Sequence, residues 1–190
     1  MSRNTRSSAA EYIRMLAVVG AMVLLTVPAL SRASTPPPLP AAILEIAPAL
    51  KVRGGGELTF FGIAVYDGWY WTAASGWPQG GPYALDLHYH RSIDGAKIAE
   101  RSVDEIAKLG LGSPADRLRW GEAMTRLFPD VKRGDRITGV HVGTGVVRYF
   151  FNGKSIGEIG DPGFADAFFG IWLHPKTSQA GFRQKLLGPP

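Results

Sequence analysis

The sequence predicts an α+β fold in which an antiparallel sheet is covered on one face by helices, and three observations carry that reading. The patterns run in the order strands, two helices, three strands, two helices, which segregates the elements instead of alternating them. Residues 83–90 alternate, with Leu85, Leu87 and Tyr89 on the face expected to meet the core and Ala84, Asp86, His88 and His90 on the other. The stretch Asp161–Leu173 packs Phe164, Phe168, Phe169, Ile171, Trp172 and Leu173 into one helix bounded by turns.

Each element has its own signal. Gly54-Gly55-Gly56 reads as a turn, followed by two strands, Glu57–Ala64 and Val65–Trp71, rich in Phe, Tyr, Trp, Ile and Val. Asp94 is placed to cap a helix carrying Ile98, Val103, Ile106 and Leu109, which Gly110 and Gly112 end. Ser113-Pro114 is a cap with proline at the first helical position, opening a helix with an apolar stripe of Leu118, Met124, Leu127 and Phe128 and with Trp120 beside it. Three strands follow, Asp135–Val142, Val146–Phe151 and Lys154–Ile159, the last two joined by Asn152-Gly153, a type I′ hairpin signal. Pro175 ends the aromatic helix, and Thr177 or Ser178 is placed to cap a second one.

Three segments are expected along the chain. Residues 1–33 read as a secretory signal: Arg3, Arg6 and Arg14 form a basic start, Met15–Leu30 is nearly all apolar, and Ser31-Arg32-Ala33 offers a cleavage site. An uncleaved anchor is the alternative, but the apolar run falls short of the roughly 20 residues a span needs. Residues 34–50 begin with the proline-rich spacer STPPPLP and continue into an apolar stretch, Ala41–Leu50, that forms a short strand or lies against the sheet. Residues 51–190 form the folded domain, long enough for a full core. The expected location is therefore periplasmic or secreted, with no stable membrane span once the signal is cut.

The formal charge of +5 owes much to that signal, which holds Arg3, Arg6, Arg14 and Arg32 against Glu11. No basic stripe remains to suggest nucleic acid. The sequence has no cysteine, which excludes cysteine catalysis, thiol redox chemistry and thiolate metal sites. Asp86, His88 and His90 share a strand face, yet a solvent-facing polar row explains them better than a metal site. Arg133-Gly134-Asp135 reads as a turn entering a strand. Neither Gly143-Thr144-Gly145 nor Gly54-Gly55-Gly56 has the spacing or lysine of a phosphate loop. No G-x-S-x-G elbow is present, and nothing points to Ser102 as a nucleophile. The acids Asp104, Glu105, Asp161 and Asp166 read as helix charges and a helix start. Trp69, Tyr70, Trp71, Trp77 and Tyr83 cluster around the first hairpin and are expected mostly in the core.

Several ordered blocks between Val52 and Gly188 resemble the exported bacterial branch of the chalcone isomerase-like family. They are Gly62–Asp67 (GIAVYD), Ala84–Ile93 (ALDLHYHRSI), Trp120 with Leu127–Val131, Gly134-Asp135, Phe151-Asn152-Gly153 with Gly157 and Asp161, and Phe168–Ser178 (FFGIWLHPKTS). The resemblance implies a ligand cleft between sheet and helices. In the family's true isomerases an arginine and several hydroxyl or amide groups stabilise a developing enolate. At the matching positions this chain has Phe61, Arg101, Asp94 and Ile171 in place of threonine, asparagine, tyrosine and threonine, which implies loss of that activity. Relatives without isomerase activity hold a fatty-acid carboxylate with arginine and tyrosine, a fork suited to that head group.

The resemblance therefore suggests a non-catalytic protein binding a small apolar acid such as a fatty acid, with Arg53, Tyr66, Tyr89, Arg91 and Trp120 as candidate binding residues and no catalytic residue, metal or cofactor. Two other readings stand beside it. One is an isomerase or intramolecular lyase of unknown substrate that uses Arg53. The other is a partner-binding periplasmic protein with an aromatic surface around Trp69–Trp77.

Overall fold

The computed structural model describes residues 35–73, 77–78, 81–143 and 145–188. The expected signal, residues 1–33, lies outside them. In chain order the elements are α1 (Ala41–Ile46), β1 (Lys51–Phe60), β2 (Ile63–Thr72), β3 (Tyr83–Tyr89), α2 (Gly95–Lys108), α3 (Pro114–Leu127), β4 (Arg136–His141), β5 (Val147–Phe151), β6 (Lys154–Ile159), α4 (Phe164–Leu173) and α5 (Ala180–Leu187). The six strands form one sheet in sequence order, each antiparallel to its neighbours. Register follows from the period-two pattern: Leu87 pairs with Gly68 on one side and Ile137 on the other. That row faces the core with the aromatic helix, as the alternation of residues 83–90 predicts.

Helix α4 fills the centre of the helical layer. All its residues except Asp166 are buried, which is what a helix apolar on every side requires. Phe168 alone meets Phe128, Tyr149, Phe164, Phe169 and Trp172. Burying such a side chain contributes about 1.5–3 kcal/mol, so this helix anchors the layer to the sheet.

The two central helices begin differently. Ser113 and Asp116 form the reciprocal capping box at the start of α3. At α2 the residue in the cap position, Asp94, makes no capping bond and pairs instead with Lys97 at 3.1 Å. The first N–H of α2, from Gly95, is accepted by Asp130 at 2.8 Å across the fold. A side chain at Gly95 would strike the Phe128 carbonyl, so this close approach needs glycine.

Four local expectations change. Gly54-Gly55-Gly56 is not a turn but lies within β1. A Cβ at Gly54 would meet backbone of α5, and one at Gly55 would meet the Trp69 ring; the glycines admit those neighbours instead of reversing the chain. The first hairpin turns at Phe61-Gly62, between the pair Phe60 and Ile63. Leu118 leaves the predicted stripe and is exposed, whereas Trp120 is buried. Pro38 and Leu39 are held in place instead of belonging to a spacer, and the stretch Ala41–Leu50 lies against the sheet as one expectation had it, but opens as the helix α1 and not as a short strand. Leu39, Ile43, Ala47 and Leu50 cover Ala84, Val140 and Phe150 on the sheet face opposite the four longer helices, and Arg136 Nη1 donates to the Pro38 carbonyl at 3.1 Å.

Candidate ligand cleft

Sheet and helices do not close completely. Between them lies a cleft of about 320 Å³. Its floor is Leu58, Tyr66, Leu87, Tyr89 and Ile137 from the sheet. Ile98, Arg101, Ser102 and Glu105 from α2 and Phe168, Ile171 and Trp172 from α4 form the roof, with Phe60, Val65, Ile93, Lys97, Phe128 and Gln179 completing the lining. The wall is overwhelmingly apolar, and its charged groups all come from α2.

Tyr66 and Tyr89 meet edge to face with ring centroids 5.7 Å apart. Trp172 Nε1 donates to the Tyr66 hydroxyl at 2.8 Å, bracing strand against helix. Burial holds both phenols well above their ordinary pKa, so they stay protonated. Ile171 lines the wall, and its carbonyl accepts from Thr177 Oγ1 at 2.5 Å. Thr177 Oγ1 also accepts from the Gln179 N–H at 3.1 Å, but the residue in the cap position of α5 is Gln179, not Thr177 or Ser178 as expected, and it makes no side-chain capping bond.

The polar edge of the cleft is a network around Glu105. Arg101 Nη2 lies 2.6 Å from Glu105 Oε1, Lys108 Nζ donates to the same oxygen at 2.9 Å, and Ser178 Oγ donates to Oε2 at 2.6 Å. Burial alone would raise the Glu105 pKa, but these donors outweigh it and hold the carboxyl below its usual value. A carboxylate so neutralised is a poor general base, which needs a raised pKa. Ser102 Oγ donates to the Ile98 carbonyl at 2.8 Å, and no histidine lines the cleft among the described residues. Arg101 is different. The pair to Glu105 engages one nitrogen of a guanidinium that carries five donors, and the group lies 5.6 Å over the Phe60 ring at the cleft edge.

Of the residues singled out from sequence, Tyr66 and Tyr89 meet in this cleft. Arg53, Arg91 and Trp120 are absent from its lining. Arg53 is exposed within a β1 bulge and Arg91 is exposed just beyond β3. Trp120 is interior, where it packs on Phe164 and donates Nε1 to Asp161 at 2.8 Å. The isomerase reading that depends on Arg53 in a cleft therefore lacks that residue. Sequence reasoning missed Arg101 as a cleft residue, scoring it only as a lost asparagine. Its one available signal was its place on the α2 face that also carries Ile98 and Glu105. Of the four positions at which the enzyme pattern is replaced, Arg101 and Ile171 line the cleft, whereas Phe61 stands at the exposed first turn and Asp94 ahead of α2.

The opposite face of the sheet holds a separate polar cluster. Asp86 is fully buried and accepts from Arg136 Nε and Nη2, both at 2.7 Å, from Thr138 Oγ1 at 2.7 Å and from His88 at 3.0 Å. These donors leave no room for a metal shared with His88. Nearby, Glu57, Asp67 and His90 each bring one ligand atom within 4.8 Å of the others, with His90 Nε2 3.2 Å from Asp67 Oδ2. Arg133-Gly134-Asp135 is a turn: Asp135 accepts from the Lys132 N–H and from Asn152. Trp69 and Tyr70 are buried and Trp71 and Trp77 are half-buried, so these residues form no exposed aromatic surface.

The comparisons agree with this architecture. A family model described as chalcone isomerase-like matches residues 73–188, and the chain belongs to that family. An uncharacterized protein of Haemophilus influenzae is 30% identical over 108 residues, which are 56% of this chain and 52% of that one. The chain thus matches about half the length of this curated relative. A crystal structure of a fatty-acid binding protein from Arabidopsis thaliana shares the fold with a TM-score of 0.57 and 14% identity, covering 73% of this chain and 87% of that one. No helix among the described residues is long and apolar enough to cross a membrane.

Proposed function

We propose that this protein is an exported, non-catalytic binder of a small apolar acid such as a fatty acid, held in the cleft between sheet and helices. The observation that carries the reading is an apolar cleft with one arginine at its edge. Apolar walls with a few convergent polar groups are the usual build of a small-molecule site. An aliphatic chain gains by leaving water for that wall. Arg101 offers its remaining donors to a carboxylate, a charge-assisted contact stronger than a neutral one. Tyr66 and Tyr89 stay protonated beneath it. The volume of about 320 Å³ is at the small end for such sites, which favours a chain of modest length. The fold shared with a fatty-acid binding protein supports the same class of ligand, and the basic, then apolar, N-terminal run supports export.

Extraction of the purified protein with mass spectrometry, followed by titration with fatty acids of increasing chain length, tests the reading. Bound acid and affinity reduced roughly 10- to 100-fold in Arg101→Gln are expected, the loss of a charge-assisted hydrogen bond. A protein that takes up no acyl chain, or that binds the acid and its methyl ester equally well in wild type and variant, sinks it.

A further inference from the structure

The polar row of Asp86, His88 and His90 splits in two in the folded chain. Asp86 and His88 are committed to each other and to Arg136 and Thr138. His90, one residue past the end of β3, meets a different pair of acids. Its N–H bonds the Val65 carbonyl at 2.9 Å, which sets it beside β2. Glu57 of β1 and Asp67 of β2 are register partners. Strand parity puts both on the face opposite the cleft, since their neighbours Leu58 and Tyr66 line it.

Two features of this trio need an explanation. The first is charge. Carboxylates directly opposite each other on neighbouring strands are destabilising, and among the described residues no lysine or arginine side chain pairs with either one. Lys185 reaches Glu57 but donates Nζ to its carbonyl at 2.9 Å, and Arg133 Nε donates to the His90 carbonyl at 3.1 Å. Arg91, next along the chain, is exposed.

The second feature is aim. His90 Nε2 is a buried atom that makes no hydrogen bond, although Asp67 Oδ2 lies only 3.2 Å away. Two polar atoms this close and not aligned with each other are arranged like ligands that point at a common centre. Ligands about 2.1 Å from a tetrahedral zinc stand about 3.4 Å apart. Glu57 brings a carboxylate oxygen within 4.8 Å of the other two, and its exposed, rotatable side chain can close the remaining distance. Asp67 and His90 keep 20% and 29% of their side-chain surface in contact with solvent, so an ion can enter.

We propose that Glu57, Asp67 and His90 bind one divalent transition-metal ion of the zinc class, with three protein ligands and a remaining position open to water. The imidazole nitrogen selects this class over calcium or magnesium, which favour oxygen donors. The ion removes the repulsion between the two carboxylates and ties the first hairpin to the end of β3. The site lies on the face opposite the cleft and does not depend on the proposed function.

The purified full chain, stripped with a chelator and dialysed, is titrated with zinc against a chromophoric chelator, and thermal unfolding is followed with and without zinc. One zinc per chain is expected, with an unfolding temperature that rises on addition of zinc, because an ion bound by the folded chain alone stabilises it. Glu57→Gln and His90→Gln are each expected to weaken binding at least roughly tenfold, since even outer partners of a metal ligand are worth about 10- to 100-fold. His174→Gln, at the end of α4, is expected to bind as wild type does, and calcium is expected not to compete. The inference is overturned if zinc does not bind, if affinity is unchanged in either ligand variant or falls as far in His174→Gln, or if calcium competes on equal terms. Glu57 is exposed, so Glu57→Gln keeps the test decisive even where His90→Gln fails to fold.

Discussion

The two faces of the central strands handle polarity in opposite ways. On the face toward α1, Asp86 sits at 0% exposure, and Arg136, Thr138 and His88 satisfy it. On the face toward α2 and α4, Tyr66, Leu87 and Tyr89 floor a space that the protein leaves unfilled. The first is a closed charge network whose members need one another. The second is a wall of side chains that pack well on one side and face a void on the other, forgoing dispersion contacts. A protein that completes its buried polar network on one face and leaves an apolar gap on the other spends stability where the gap is. That difference is what marks the cleft as a site and the Asp86 cluster as structure.

The sharpest way to break the contrast is Arg136→Met. It leaves a buried carboxylate without its main partner, and a loss of about 3–5 kcal/mol is expected by chemical denaturation at neutral pH. The acid dependence checks the same cluster. Burial would raise the Asp86 pKa, but bonds from His88 and Arg136 more than offset this and set it below the ordinary value. A carboxyl whose folded pKa is depressed adds stability above its unfolded value, near 3.9, and loses it as pH falls through the folded one. Wild-type stability is therefore expected to fall on acidification below about pH 4. Asp86→Asn should weaken that fall without abolishing it, because Glu105, Asp135 and Asp161 are also depressed.

On the cleft face the effects shift from stability to binding. Arg101→Gln is expected to change unfolding free energy by less than about 1 kcal/mol, since its pair is half exposed on one side and spaced i,i+4, while acid affinity falls as stated above. A loss of stability as large as that in Arg136→Met would mean that Arg101 is structural. Trp172→Phe removes the donor to Tyr66, with an expected cost of about 1–2 kcal/mol. The smallest effect expected is that of Leu87→Phe. In a filled core such enlargement costs about 1–3 kcal/mol; projecting into the cleft it should cost less than about 1 kcal/mol and displace the ligand. Equal penalties for Leu87→Phe and for an enlargement at Val140, which faces α1 at 0% exposure, would show that the space is not a usable gap.

The sequence read well where a local signal and the tertiary outcome coincide. Ser113-Pro114 caps α3 through its own neighbours, Asn152-Gly153 turns a hairpin by backbone preference, and the alternation of residues 83–90 sorts core from outer face. It misled where a distant neighbour sets the need. The glycines at 54–56 answer to α5 and Trp69, and Asp94 yields its cap to Asp130. Phe61-Gly62 turns the chain although Phe carries no turn signal. Of the cleft, Tyr66 and Tyr89 were named because the family resemblance asks for a tyrosine beside an arginine, and only for Tyr89 did the alternation of residues 83–90 also indicate the core face. Arg101 was not, because an arginine on an amphipathic helix has the same local pattern whether it faces solvent or a cleft edge. Arg53 and Arg91 were chosen because the same resemblance asks for an arginine, and nothing local to them fixes which cation reaches the gap.

What the amino-acid order determined by itself is the succession of elements from β3 to α5, their antiparallel order in the sheet and most of the faces they bury, since these depend on periodicity, caps and turns a few residues long. Only the tertiary structure decided where sheet and helices fail to meet, which charge stands at that opening and which apolar turn stands beside it. Those outcomes depend on the spacing between α2, α4 and the sheet, which many side chains set jointly and no short stretch of sequence records.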